Sequence, residues 1–158
     1  MNAWLTLPAR IESAAARFQA PLSDAFLLLL RLYVAKVFFQ SGLTKLADFG
    51  STVALFENEY RVPLLTPMLA AASGTAAELL LPALFALGLF TRPTALAFFV
   101  FNAVAVVSYP DISEAGIKDH WVWGAMIATV FMFGAGRASL DGLCARFATR
   151  RAAISVAA

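Results

Sequence analysis

The 158-residue chain is 61% hydrophobic and 14% charged, with a formal net charge of +2, a mean hydropathy of +0.76 and a pI near 9.0. A soluble domain of this length needs more charge to cover its surface, so the composition is that of an integral membrane protein. Its basic residues flank apolar runs instead of gathering on one face, which argues against nucleic-acid binding. The single cysteine, Cys144, excludes an intramolecular disulfide and a CxxC thiol shuttle, and reads as an inert residue.

Residues 1–23 lack the apolar core of a cleaved signal peptide and carry Arg10, Glu12 and Arg17. Ile11, Ala14, Ala15 and Phe18 stand at helical spacing, as in a short helix lying on a membrane surface or an N-terminal cytoplasmic tail. The first span runs from Asp24 to Lys45, about the twenty residues a bilayer needs. The second runs from Leu64 to Phe90, with one full charge, Glu78, and an interior Pro82. The third runs from Pro93 to Tyr109 after a turn so short that spans two and three form an antiparallel hairpin. The fourth runs from His120 to Gly136, and residues 144–158 form a basic tail.

These elements predict an all-α fold: a four-span membrane bundle over residues 24–143. The connection DFGSTVALFENEYRVP is long for a link. Its Phe49, Val53, Leu55 and Phe56 predict a short helix over the bundle mouth. Arg10, Arg17, Arg92, Arg137, Arg146, Arg150 and Arg151 occupy the tails and the middle turn, whereas the other connections hold Lys45, Arg61 and Lys118 among six acids. Seven cations against three place both termini in the cytoplasm. Tyr109, Trp121 and Trp123 then form the outer aromatic belt.

Charged side chains inside apolar spans mark candidate sites. At 100° per residue, Arg31, Ala35, Phe38, Gly42 and Lys45 fall within about 40° of one another, and Lys36 and Gln40 lie on roughly the opposite side. Two polar faces predict that span one is central, or that its second face meets another subunit in a homo-oligomer. Counted from the cytoplasmic ends, Lys36 and Glu78 each lie about 18 Å deep and Arg31 about 10 Å, which makes Lys36–Glu78 the expected ion pair. Such a pair either fixes helix packing or builds a site for a ligand headgroup or a proton.

A second cluster is expected at the outer face, from Lys45, Glu57, Glu59, Tyr60, Tyr109 and His120, with Asn102 from a deeper turn. His120 is the only histidine, so a protein-only metal centre would have to rely on carboxylates and none is expected, and bis-histidine haem within one chain is impossible. Beside Asp119 at an expected helix start, it reads as a cap or a hydrogen-bonding residue, with a catalytic or ligand-binding role as the alternative. No GxSxG, HExxH, P-loop or GxGxxG pattern occurs.

The segments RLYVAKVFFQSGLTKL, FENEYRVPLL, AAELLLPALFALGLFTRPTAL, NAVAVVSYP and, at residues 134–141, GAGRASLD resemble the DoxX family of small four-helix membrane proteins. The resemblance covers about residues 24–143. It maps the family's charged positions onto Arg31, Lys45 and Glu78. Related sequences often carry a lysine where Gln40 stands; here the cation is Lys36, one turn earlier. The resemblance implies a redox-associated protein of a bacterial-type plasma membrane: an accessory subunit that holds a quinone or sulfur compound, or docks an oxidoreductase partner. Relatives include the small subunit of an archaeal thiosulfate:quinone oxidoreductase and a mycobacterial member that partners a sulfurtransferase and a superoxide dismutase. A non-catalytic assembly factor and a small oligomeric transporter are the alternatives.

Overall fold

Apolar residues spaced for helices throughout the chain give helices throughout. The computed structural model describes the backbone of residues 3–157 and the side chains of residues 19–149. Among these there is no strand, and the six helices are α1 (Ala3–Ala47), α2 (Phe49–Asn58), α3 (Pro67–Leu87), α4 (Thr91–Val107), α5 (Glu114–Phe133) and α6 (Leu140–Ala157).

Expected boundaries shift wherever capping chemistry outweighs hydropathy. No break separates a surface helix from span one: α1 is continuous over 45 residues, about 67 Å at 1.5 Å per residue. The side chains of Ile11, Ala14, Ala15 and Phe18, and those of Arg10, Arg17, Arg150 and Arg151, lie outside the described residues. The helix α3 begins at Pro67 rather than Leu64, because Thr66 caps Leu69 N and proline suits the first helical position. It stops at Gly88, whose φ of 63° is left-handed. Ser113 caps α5 by accepting from Gly116 N, so this helix starts six residues before His120. His120 therefore lies within the helix, not at its start. The expected C-terminal tail is taken up by α6, which begins at Leu140.

The predicted helix in the first connection is present. Asp48 caps it through Ser51 N at 3.0 Å, and Thr52 Oγ1 donates to Lys45 O at 2.9 Å, holding α2 against the end of α1. Phe56 packs onto Ala70 and Ala71 of α3, with Tyr60 and Val62 beside them. The main core is drawn from four helices: Leu27, Leu30, Val34 and Phe38 of α1, Phe85 of α3, Ala95 and Phe98 of α4, and Ile127 and Val130 of α5. Phe98 meets Phe38 and Phe85 edge-on, with ring centroids 4.8 and 5.4 Å apart.

On α1 the helical wheel selects the inner face correctly: Arg31, Ala35, Phe38 and Gly42 are buried and Lys45 is mostly so. The opposite face is not enclosed. Lys36 and Gln40 are exposed, beside exposed Tyr33 and Leu29. On that side α1 is therefore uncovered within the monomer, contrary to the expectation of a central first span.

Candidate functional site

Two polar assemblies lie at opposite ends of the bundle. One is a lock and the other is a cavity.

The lock is built from the GAGRASLD segment. The Arg31 guanidinium is fully buried. It donates to Ala86 O at 3.1 Å and to Ala138 O at 2.6 Å, tying α1 to the last turn of α3 and to the segment before α6. A side chain at Gly88 would collide with that guanidinium and with Ser139, so glycine is needed there for space as well as for φ. The Asp141 carboxylate accepts from Phe90 N at 3.1 Å, Thr91 N at 2.8 Å and Thr91 Oγ1 at 2.7 Å, supplying the N-cap that α4 lacks in its own sequence. Asp24 Oδ1 accepts from Arg137 N at 2.8 Å. Asp141 and the Arg137 backbone of the signature thus have structural tasks.

Burial alone would raise the Asp141 pKa, but the hydrogen bonds from Thr91 and Phe90 and the charge of Arg31 outweigh it and hold the carboxyl below its ordinary 3.8. A depressed folded-state pKa means that stabilisation is complete above the unfolded value and is lost as pH falls through the folded one. Asp141→Asn should accordingly cost about 1 kcal/mol at neutral pH. The gap in melting temperature between wild type and variant should close on acidification below the ordinary aspartate range. A gap that persists there would contradict this account.

The cavity, about 450 Å³, lies at the other end between α1, α2, α3, α4 and α5. Lys45 and Glu78 form its ion pair. Lys45 Nζ reaches both Glu78 oxygens at 2.7 Å and Ser41 Oγ at 2.9 Å, with side-chain exposures of 15% and 11% for the pair. The expected Lys36–Glu78 pair does not form. The helices cross where Gly42 lets Glu78 approach: an added Cβ would lie 3.0 Å from Glu78 Cβ, which sets Glu78 level with residues 42–45. Depth counted from assumed membrane boundaries misplaced that level by about two turns.

Aromatic rings form the other walls. Tyr60 is stacked between Phe56 and Tyr109, with centroids 4.7 and 4.9 Å away. Burial first, and then the charge of Glu78, raises the Tyr60 pKa, so its phenol keeps its proton and remains a donor. His120 packs edge-on against Trp123 at 4.8 Å and Phe38 at 6.0 Å. Asn102 Nδ2 donates to His120 O at 3.0 Å, which leaves Asn102 Oδ1 to accept from His120 Nδ1 at 2.8 Å. That assignment places the proton of a neutral imidazole on Nδ1 and leaves Nε2 as an acceptor. Ser108, 2% exposed, lines the same cavity, and its hydroxyl has no hydrogen-bond partner. A buried hydroxyl that lines a cavity and has no partner is a place for a ligand's polar atom.

The structure thus gathers Lys45, Glu78, Tyr60, Tyr109 and His120 around one space, and Asn102 orients the histidine. Arg31 belongs to the lock, Lys36 and Gln40 face outward, and Glu59 is exposed beyond the cavity wall. Sequence reasoning missed Ser41, Ser108 and Trp123 as lining residues. The signal for Trp123 was its spacing: residues two apart on a helix point about 200° apart, so Trp121 and Trp123 cannot both face lipid. Trp121 is 76% exposed and Trp123 lines the cavity. Among the described residues no group of three or more His, Cys, Asp or Glu side chains is placed to hold a metal ion.

No curated protein and no solved structure matches the chain. The family model for DoxX matches residues 26–110. The match takes in Arg31, Lys45 and Glu78 and extends over more than half of the sequence, so the chain belongs to the DoxX family.

Proposed function

We propose that the protein is a four-span membrane subunit whose cavity holds the ring of a quinone for a redox partner protein. The membrane reading is supported by family membership, by the length and composition of α3, and by apolar side chains turned outward on every helix of the bundle. Pro67–Leu87 is long and apolar enough to cross a bilayer, and Thr91–Val107 is a shorter apolar helix. Leu29 of α1, Leu80 of α3, Phe99 and Val100 of α4, and Phe131 and Met132 of α5 are all exposed. An apolar surface on this scale needs lipid or protein to cover it. The spans are then residues 24–47 of α1 together with α3, α4 and α5. The Arg31 end faces the cytoplasm with both termini, and the cavity lies toward the acid-rich outer side.

The observation that carries the ligand reading is the company kept by the unpartnered Ser108 hydroxyl. The aromatic rings of Tyr109 and Trp123 suit contact with a flat ring, while Tyr60, covered on both faces, offers its edge and phenol. Ser108 and Tyr60 donate hydrogen bonds, as the carbonyl oxygens of a quinone require. Glu78 and His120 Nε2 accept them, as the hydroxyls of the reduced form require. The volume falls within the range of small-molecule pockets, about 300–1,000 Å³. A bound quinone would carry two electrons and two protons between its oxidised and reduced forms. The chain's own residues bind and orient the ring, and the electrons belong to the partner. Phe38, Phe85 and Phe98 close the bundle between cavity and lock, which is the shape of a binding site rather than of a transport path.

Protein isolated in mild detergent should yield an isoprenoid quinone on solvent extraction, or bind an added benzoquinone, and Glu78→Gln should weaken binding of the corresponding hydroquinone at least tenfold. Quinone-free protein that binds no added benzoquinone would overturn the reading.

A further inference from the structure

A second hollow, about 410 Å³, runs along the outward side of α4 and α5. Its walls, among them Phe99, Ala103, Val106, Val107 and Ala125, are apolar apart from two residues, Asn102 and His120. His120 also lines the ring-walled cavity and is the one residue the two spaces share. We infer that this groove receives the apolar chain of the ligand whose ring occupies the cavity, so that the protein takes an amphiphile with a flat polar head and one hydrocarbon tail. The inference rests on the quinone reading of the cavity.

Three features converge on it. The groove opens where α4 and α5 expose apolar side chains, with Phe99 42% and Val107 75% exposed, so a chain lying there stays in contact with lipid. His120 borders both spaces, and Asn102 grips it at both its backbone carbonyl and its ring, fixing where head and chain part. Gly124 lines the groove beneath that grip. A Cβ there would stand 3.3 Å from Asn102 Nδ2 and 3.5 Å from Phe99 Cε2, so the missing side chain preserves both the Asn102–His120 contact and the hollow. The cavity supplies polar and aromatic contacts to the head. The groove supplies length without polarity.

The test compares a benzoquinone without a chain and the same benzoquinone bearing a decyl chain, each titrated into the full-length protein in lipid nanodiscs. Ala103→Phe and Ala125→Phe put bulk into the groove from exposed positions that do not line the cavity. Both variants should bind the chain-free ring within twofold of wild type and the decyl compound at least tenfold more weakly. A decyl quinone with a photoreactive group at the chain end should also label residues 103–107 or 121–125 of wild-type protein. Equal affinity of wild type and variants for the decyl compound, or labelling confined to the α1–α3 side near Val37 and Leu65, would overturn the inference and leave the ring site standing. If wild type binds neither compound, the quinone reading itself falls.

Discussion

Arg31→Leu should destabilise the protein by about 3 kcal/mol, seen as a marked drop in melting temperature of the purified protein in detergent. The estimate follows from what the guanidinium satisfies. Its two terminal nitrogens hold carbonyls from distant segments, Ala86 and Ala138, and the side chain is wholly buried. A buried carbonyl left without a partner costs about 1–3 kcal/mol, and the shorter leucine leaves part of the space empty. Relief of the charge's own desolvation offsets part of this, because no carboxylate lies within 4.0 Å of the guanidinium among the described residues. Arg31→Lys should recover little. An ammonium is a single point and cannot span two carbonyls served by the fork of a guanidinium. A melting temperature unchanged in Arg31→Leu, or fully restored by lysine, would show that the lock does not work through these bonds.

The second large effect separates packing from binding at the cavity. Glu78→Leu should cost about 3 kcal/mol, because it strands the Lys45 ammonium in a largely enclosed space. Lys45→Leu should cost a similar amount by stranding the carboxylate. The double variant should melt within about 1 kcal/mol of wild type, since apolar residues replace a buried pair with little net loss. Quinol binding, in contrast, should fall at least tenfold in Glu78→Leu and in the double variant, because the double variant restores packing and neither keeps the acceptor. A double variant that regains both stability and binding would reduce the pair to a packing device.

How much of this was legible follows from which forces act locally. The spacing of Arg31, Ala35, Phe38, Gly42 and Lys45 gives the buried face of α1 because helical geometry alone fixes it. The acidic, aromatic connection gives α2 and the outer cluster, because amphipathic spacing and membrane-side charge are both written along the chain. Pairing across helices is another matter. Glu78 meets Lys45 and not Lys36 because Gly42 sets the crossing point of α1 and α3, and depth along each helix separately does not contain that information. Asp141 as the cap of α4 is invisible for the same reason, being 50 residues from Thr91. The position of His120 inside α5 was hidden by Lys118 and Asp119, whose charges mask a helix that Ser113 has already started.

Lys36 is the instructive failure. The cost of a lysine in lipid predicts an inward face for it, yet its exposure shows that the monomer does not cover it. The cost of a charge at mid-bilayer, about 2.5–3.5 kcal/mol, is real, but a long side chain can carry its ammonium toward the interface.

The central claim is that one ring sits among Tyr60, Tyr109, His120 and Trp123 beside the Lys45–Glu78 pair. A structure determined by electron cryomicroscopy or crystallography with a brominated benzoquinone tests it most directly. The bromine-bearing ring should lie inside the 450 Å³ cavity, with one ring oxygen in hydrogen-bond reach of Ser108 Oγ. A ring found at the Arg31 end, or only on the lipid-facing surface, would contradict it.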